Sequence, residues 1–302
     1  MSVLLAKDTR RFYDGGVPAR EGAPAEPPDP GENPQIVLER HAEEGEEQFA
    51  MVRRIAYRDR RFGQLLVPAD PESFRTDLTS VPAILTWLVP KTGAHLPAAL
   101  LHDGLVHGAH EAPTYISSRG FVLDRVEADR VFRDAMVDTG TRVVRRWLVW
   151  SAVTAVTLLR DGGAGWSPSR RWRYRLAVVG TLLIVALLGA VASLDLFDVA
   201  GPSLPWMGER SWWQELVGGL SGAVVIPLLL GLTWGRFRIA GCVMGVGLAV
   251  LLHVTIAVLT VTWAYRLVER LASRTPFVAA GLGVAAVVAA AAVLLGRLVG
   301  GV

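Results

Sequence analysis

The sequence contains very little cysteine, since Cys242 is the single thiol among 302 residues. One cysteine cannot form a disulfide bond within the chain. The sequence also has no CxxC pair and no cysteine and histidine spacing typical of zinc ligands. A disulfide-linked scaffold and a structural zinc module are therefore both excluded.

Lysine is scarce as well. Lys7 and Lys91 are the only two lysines, and arginine supplies the other permanently charged basic side chains. Together with abundant alanine, glycine and valine, this composition indicates a bacterial genome rich in G and C. The formal net charge is only +3, and the arginines are scattered or lie beside apolar segments. We therefore expect no nucleic-acid partner and expect a lipid bilayer instead.

Charge is nearly absent from long stretches of the C-terminal half. About 20 apolar residues are needed for a helix to cross a bilayer, and four segments meet this requirement: 176–194, 216–234, 239–263 and 276–296. We predict that residues 171–302 form an all-α transmembrane helical bundle in the cell inner (plasma) membrane. His253 is the only ionisable residue well inside a segment, and it is either functional or a neutral histidine bonded to a neighbouring helix.

The charges beside these segments indicate their orientation. Arginines are concentrated at 170–175 and at 236–238, whereas the loop between the first two segments is mainly acidic. The N-terminal residues MSVLLAKDTRRFYDGG also lack the apolar core of a signal peptide. We therefore predict a multi-pass protein with both termini and the soluble domain in the cytoplasm. The loop at 264–275 does not fit this orientation, because it would carry three arginines to the outer side.

The N-terminal half predicts an α+β soluble domain, with a small β-hairpin or sheet plus helices. Residues 1–47 are rich in proline, glycine and charge, so we expect a disordered extension there. Residues 48–170 form the predicted domain, beginning with two short strands around the turn RDRRFG. The segment LPAALLHDGLVHG predicts a helix that ends at Gly108. LDRVEADRVFRDAMVDTG predicts a helix with an Asp124 and Glu127 capping box, closed by Gly140.

The apolar helix LPAALLHDGLVHG carries a histidine and an aspartate side by side, His102 and Asp103. On the next helix, Asp129 shares one face with Phe132 and Met136, and a carboxylate on that inward face needs a partner. We expect His102 to be this partner, with Asp129 fixing the imidazole so that its other nitrogen can take a proton.

Asp103 is expected at the entrance of the same groove, where it would hold a cation. Asp77 and Ser80 lie in a loop that would close over the groove. In the alternative interpretation, His102 and Asp129 are a structural pair, and Asp103 and Asp77 cap local backbone amides.

Three motifs occur in order along this half: F-x-T-D-x-x-S-x-P at 74–82, A-A-x-x-H-D at 98–103 and A-D-x-x-F-x-x-A-M at 128–136. With the preceding hairpin, they resemble DUF1353, a phage and bacterial family of unknown function, over residues 48–166. This resemblance implies no particular reaction.

The H-D pair and the D-x-x-F helix are also similar to those of the secreted phospholipases A2. That similarity implies His102 as the base that activates water, Asp129 as its orienting residue, and a Ca²⁺ or other divalent metal site at Asp103 with the Asp77 to Ser80 loop. The chain departs from those enzymes in lacking disulfides and a G-x-G loop before His102. Two hypotheses follow: a membrane-anchored, metal-assisted hydrolase, esterase- or phospholipase-like, or a non-catalytic membrane protein of prophage type whose soluble domain binds an unidentified protein partner.

Overall fold

The structure is a computed structural model of the chain and describes residues 11–19, 24–43, 46–78, 92–107, 111–160, 165–196, 203–208 and 210–274. The chain divides into two compact units, Met1–Leu251 and Leu252–Val302. All the strands and all the helices described here except the last lie wholly in the first unit.

The described residues contain β-strands first and α-helices mainly after them. The strands are β1 (Phe12–Asp14), β2 (Leu38–Glu43), β3 (Glu46–Met51), β4 (Ile55–Asp59), β5 (Gly63–Val67) and β6 (Ile116–Ser117). The helices are α1 (Leu96–Leu105), α2 (Arg125–Asp138), α3 (Val143–Arg160), α4 (Pro168–Leu196), α5 (Trp212–Leu232) and α6 (Arg238–Arg274), with a 3₁₀ turn at Gly235–Phe237. This order confirms the predicted fold class, an α+β domain followed by a helical region.

The main sheet is antiparallel and has the strand order β1-β4-β5-β6. Its centre is the hairpin predicted around RDRRFG, in which Ile55 pairs with Val67 and Asp59 pairs with Gly63. Gly63 has a φ of +79° at the end of the turn, a conformation that glycine adopts without steric cost. The carboxylate of Asp59, the last residue of β4, accepts the backbone N–H of Phe62 at 2.8 Å and so closes the turn.

Part of the N-terminal segment joins this sheet, so its described residues 11–19 differ from the disorder expected for residues 1–47. β1 pairs with the edge of β4, and the ring of Phe12 lies 4.7 Å from that of Tyr57. Arg53 binds the buried carboxylate of Asp14 at 2.7 Å. The composition of this segment indicates that it is solvated. An open strand edge can nevertheless order such a segment, because a few apolar residues and one ion pair then hold it against the sheet. The proposed boundaries at 48 and 171 remain predictions.

Helix α1 packs closely against the sheet. A Cβ added at Gly104 would overlap Cγ1 of Val67 on β5, so only glycine permits this approach. The helix begins at Leu96, beside Pro97, and ends at Leu105, before the expected stop at Gly108. Gly108 itself lies outside the described residues.

Helix α2 begins with the predicted capping box, in which Asp124 accepts the backbone N–H of Glu127 and the Glu127 carboxylate accepts that of Asp124. Gly140, with a φ of +72°, follows its C-cap residue. α2 packs against α1 on one side and α3 on the other. This arrangement fixes which α2 side chains face α1.

Two of the described helices are long and apolar enough to cross a membrane: Pro168–Asp195 and Trp212–Leu232. They cover the first two predicted spans. A third crossing requires residues 235–251 and 256–271 to act as one broken span, which corresponds to the predicted span at 239–263. The fourth predicted span, 276–296, lies outside the described residues. His253 lies within α6.

Candidate functional site

The structure brings His102 of α1 and Asp129 of α2 into hydrogen-bond contact. Nε2 of His102 lies 2.9 Å from Oδ1 of Asp129, and the two residues are only 4% and 3% exposed. Phe132 and Met136 are fully buried on the same face of α2, as their helical spacing with Asp129 predicted. The sequence pattern therefore located this contact, while the chemical role of the pair remains a prediction.

The imidazole is held in one orientation by an aromatic neighbour as well. The rings of His102 and Phe132 are stacked, with their centroids 4.8 Å apart and their planes inclined by 29°. Because one ring face is covered by Phe132 and Nε2 is bound to Asp129, rotation of the imidazole would break two contacts. The ring is thus preorganised with Nδ1 on the side away from Asp129.

Two polar atoms of this pair have no hydrogen-bond partner within the part of the chain that the structure describes. They are Nδ1 of His102 and Oδ2 of Asp129, and both are buried. Buried polar atoms are nearly always hydrogen-bonded in folded proteins, because an unmade bond costs about 1–3 kcal/mol. Such atoms would be satisfied by a buried water molecule or by a polar group of a ligand.

Asp103 lies at the more open side of the imidazole. Its Oδ1 is 4.0 Å from Nδ1 of His102, and its side chain is 20% exposed, against 5% for that of His102. The hydroxyl of Thr76 donates to Oδ2 of Asp103 at 2.7 Å and accepts the backbone N–H of Leu78 at 3.0 Å. Sequence reasoning did not assign this role to Thr76, although the residue belongs to the F-x-T-D motif.

The segment that carries Thr76 is fixed to the small hairpin formed by β2 and β3. Phe49 of β3 and Thr76 exchange two backbone hydrogen bonds of 2.8 and 2.9 Å. Leu78 follows with a φ of +58°, which is uncommon for a residue with a Cβ. Asp77, between buried Thr76 and buried Leu78, is exposed. Ser80 lies outside the described residues.

The predicted metal site at Asp103 and Asp77 remains a prediction. The described residues contain no group of three or more His, Cys, Asp or Glu side chains that could hold a metal ion. The donors around Asp103 are of the right kind, because carboxylate and hydroxyl oxygens are hard ligands that suit Ca²⁺. Calcium takes about 6–8 oxygen ligands, so these side chains would supply only part of its coordination.

Sequence reasoning missed Arg125, which lies one helical turn before Asp129 on α2. Its Nε atom is buried without a hydrogen-bond partner, and no carboxylate among the described residues lies within ion-pair distance of it. Burial lowers the pKa of the Arg125 guanidinium, the nearby Asp129 and Asp103 carboxylates oppose this, and Arg160 adds to it. The sequence R-V-E-A-D places Arg125 four residues before Asp129, and this spacing indicates that the two side chains lie on the same face of α2.

Comparison with known families finds one match in this part of the chain. Residues 49–153 match the family model DUF1353, described as a protein of unknown function. Searches of curated proteins and of solved structures found no match. The matched segment includes α1, α2 and the Thr76 segment. Residues 49–153 of this chain are therefore similar to the DUF1353 family.

Proposed function

We propose that the DUF1353-like domain is a hydrolase that cleaves esters at a membrane surface, with His102 as its general base. The observation that carries this proposal is the 2.9 Å contact between Nε2 of His102 and Asp129, which leaves Nδ1 on the side of Asp103. An imidazole bonded in this way to a buried carboxylate is a common arrangement for general bases.

The chemistry follows from the tautomer that this contact favours. A carboxylate only accepts hydrogen bonds, so Asp129 stabilises the form in which Nε2 carries the proton and Nδ1 has the lone pair. Nδ1 would remove a proton from water as the water oxygen attacks the ester carbonyl. The negative charge of Asp129 would stabilise the imidazolium formed, and the same proton would then pass to the departing alcohol. A positioned general base of this kind contributes roughly 10²–10⁴-fold to a rate.

Asp103 supports the proposal as the group on the open side of the imidazole. The hydroxyl of Thr76 holds its carboxylate in place, and Asp77 lies in the same segment. These residues, with backbone oxygens of the described segment up to Leu78, are the ones that would hold a divalent cation, Ca²⁺ in the first instance. When bound, such a cation would supply positive charge beside the oxyanion of the reaction.

The apolar helices support the membrane part of the proposal. α4 and α5 carry large exposed apolar side chains, such as Leu187 and Leu229, whose exposed fractions are 65% and 62%. In a bilayer these surfaces would face lipid tails and not water. A multi-pass anchor with the DUF1353-like domain on the cytoplasmic side would hold the site close to lipid substrates.

A second function is favoured by the burial of the pair. His102 and Asp129 are both less than 5% exposed, which suits a structural contact that holds α1 against α2. In that case the domain would be a non-catalytic binding module of a prophage-type membrane protein, with a protein as its partner. The two functions differ in whether removal of His102 abolishes a measurable reaction.

Fatty-acid release from liposomes by the reconstituted full-length protein tests the proposal. We expect the wild-type protein to release fatty acid. The His102→Ala variant should release it at least about 100-fold more slowly. His41→Ala serves as the matched control, because His41 lies on β2, outside the α1–α2 contact. If the wild-type protein releases nothing in the presence of calcium, magnesium or manganese, the binding-module alternative replaces the hydrolase.

A further inference from the structure

Three buried polar atoms without hydrogen-bond partners occur around the contact between α1 and α2. They are Nδ1 of His102, Oδ2 of Asp129 and Nε of Arg125. Asp129 joins the other two, since it bonds to His102 and lies four residues after Arg125 on one face of α2. Groups of such atoms on neighbouring residues are satisfied by ordered water or by a polar ligand, so this part of the α1–α2 contact is a candidate position for a polar ligand.

Arg125 is the member of this group whose charge cannot be removed. A guanidinium stays protonated in proteins and offers only donors, so a buried one is stable only with an acceptor or an anion beside it. The burial that lowers the pKa of Arg125 is opposed by Asp129 and Asp103, yet neither makes an ion pair with it among the described residues. Nε of Arg125 is therefore buried near these carboxylates without an acceptor, while the side chain as a whole is partly exposed.

A second guanidinium acts electrostatically on Arg125, which is consistent with an anionic ligand. Arg160 is the last residue of α3, is exposed, and repels Arg125 strongly enough to contribute to its lowered pKa. An anion between the two side chains would turn this repulsion into attraction. Arginine pairs are well suited to phosphate, because the planar guanidinium donates two parallel hydrogen bonds to its oxygens.

The position of Arg160 indicates where such an anion would come from. Its neighbour Leu159 accepts a hydrogen bond of 2.9 Å through its carbonyl oxygen from Nε of Arg175. Arg175 lies in α4, directly before the apolar stretch that begins at residue 176. Arginines at the end of an apolar span lie at the level of lipid headgroups. The end of α3 is therefore tied to the part of α4 where headgroup phosphates would be found.

We propose that Arg125, supported by the positive charge of Arg160, binds the phosphate of a lipid headgroup and so selects phospholipids over uncharged esters at the His102 site. This inference rests on the proposed hydrolase and adds its substrate class. Arg125 is a specificity-determining residue in this scheme, because it contacts the substrate without taking part in proton transfer. The same guanidinium chemistry would accept free phosphate, so the test must separate the two sources.

Thermal stability of the full chain in an uncharged detergent measures binding independently of catalysis. The probes are dihexanoylphosphatidylcholine, dihexanoylglycerol, which lacks the phosphate, and inorganic phosphate. We expect the phospholipid to raise the melting temperature by roughly 2–4 °C at a concentration about tenfold above its dissociation constant. This shift should be lost in Arg125→Gln and retained in His102→Gln, which cannot turn over the probe. Arg125→Lys should keep a reduced shift, since it preserves the charge but not the planar donors.

Arg142→Gln is the matched control, because Arg142 is exposed and directly precedes α3, at the opposite end of that helix from Arg160. It removes the same charge and should leave the shift unchanged. If inorganic phosphate alone produces the whole Arg125-dependent shift, the lipid headgroup is excluded as the ligand. The proposal is wrong if the phospholipid still raises the melting temperature of Arg125→Gln. It is also wrong if dihexanoylphosphatidylcholine and dihexanoylglycerol raise the wild-type melting temperature equally, because Arg125 then does not bind the phosphate.

The hydrolase reaction gives a second readout that distinguishes the two proposals. In the active protein, Arg125→Gln should reduce kcat/KM for the phospholipid at least about tenfold, chiefly by raising KM. The kcat/KM for dihexanoylglycerol should be unchanged. Arg125-dependent binding without any hydrolysis would overturn the hydrolase and keep the phosphate site. Hydrolysis of both esters that is unaffected by Arg125→Gln would keep the hydrolase and overturn the phosphate site.

Discussion

His102 and Asp129 are 27 positions apart in the sequence, yet Nε2 of one lies 2.9 Å from Oδ1 of the other. The contact exists because α1 and α2 pack side by side, with the ring of Phe132 stacked on the imidazole. The depth of α1 is set in turn by Gly104, which lets the helix approach Val67 on β5. A side-chain pair that the hydrolase proposal needs is thus held by apolar packing on two sides.

Removal of the Asp129 charge is expected to destabilise the protein, because Nε2 of His102 loses its charged acceptor. Asp129→Asn retains an amide oxygen as acceptor, so we expect a loss of about 1–3 kcal/mol, and Asp129→Ala should cost more. Thermal denaturation of the full chain in detergent measures both. Asp134→Asn is the control on the same helix, where the carboxylate is partly exposed and binds Arg130. Equal stability of all three variants would show that the buried contact contributes nothing.

Substitution of Gly104 by alanine should displace α1. The added Cβ would overlap Val67, so we expect a loss of about 1–3 kcal/mol from overpacking. The double variant Gly104→Ala, Val67→Ala should recover part of this loss by making room. At Gly180, where a Cβ meets nothing within 4 Å, alanine should be tolerated. A neutral Gly104→Ala would contradict the close approach of α1 to β5.

The buried carboxylate of Asp59 predicts a stability contribution that depends on pH. Burial acts to raise the pKa of Asp59, but hydrogen bonds from the Phe62 amide and the Arg130 guanidinium outweigh it and hold the pKa below its ordinary value of 3.8. The contribution is therefore fully present above the pKa of the unfolded chain and is lost as the pH falls through the lower pKa of the folded protein.

Asp59→Asn should accordingly be less stable than the wild type at pH 7, with the difference shrinking as the pH is lowered below about 4. Chemical denaturation at a series of pH values measures this. Arg130→Gln, which removes the partner, should show the same trend with a smaller amplitude because the amide hydrogen bonds remain. A stability difference that grows on acidification would contradict the assigned direction of the pKa shift.

Divalent cations test the proposed metal site at Asp103. We expect millimolar calcium to raise the melting temperature of the full chain, because a ligand that binds only the folded state stabilises it. The shift should disappear in Asp103→Asn, which keeps the size of the side chain and removes its charge. Asp29→Asn, an exposed carboxylate in a turn near the N-terminus, is the control. If calcium, magnesium, manganese and zinc all leave the wild-type melting temperature unchanged, Asp103 holds no such metal.

Cysteine labelling in intact cells tests the proposed membrane orientation. The single cysteines are Ser203→Cys, between α4 and α5, and Ser2→Cys, each in a chain whose Cys242 is replaced by serine. A membrane-impermeant maleimide should label position 203 directly and position 2 only after permeabilisation, since the flanking arginines predict cytoplasmic termini. The reverse pattern would place the DUF1353-like domain outside.

Several elements followed from the sequence by itself, because short-range patterns decide them. The turn RDRRFG determined the β4–β5 hairpin, and the Asp124, Glu127 and Gly140 signals determined the limits of α2. Apolar segments long enough to span a bilayer marked α4 and α5. The spacing of Asp129 with Phe132 was sufficient to place that carboxylate inward, which made His102 its predicted partner.

Other features were decided only by the tertiary structure, because they join segments whose relative positions no local pattern encodes. Composition alone predicts disorder for the stretch that forms β1, whereas in the structure this stretch pairs with the edge of β4. The hydroxyl of Thr76 reaches Asp103 because β3 holds its segment beside α1. Arg125 has the spacing of an ordinary ion pair with Asp129, and only the packing of α2 against α1 and α3 buries its Nε without a partner. Hydrophobic periodicity fixes which face of a helix is buried, whereas the hydrogen-bond partners on that face depend on how the helices pack.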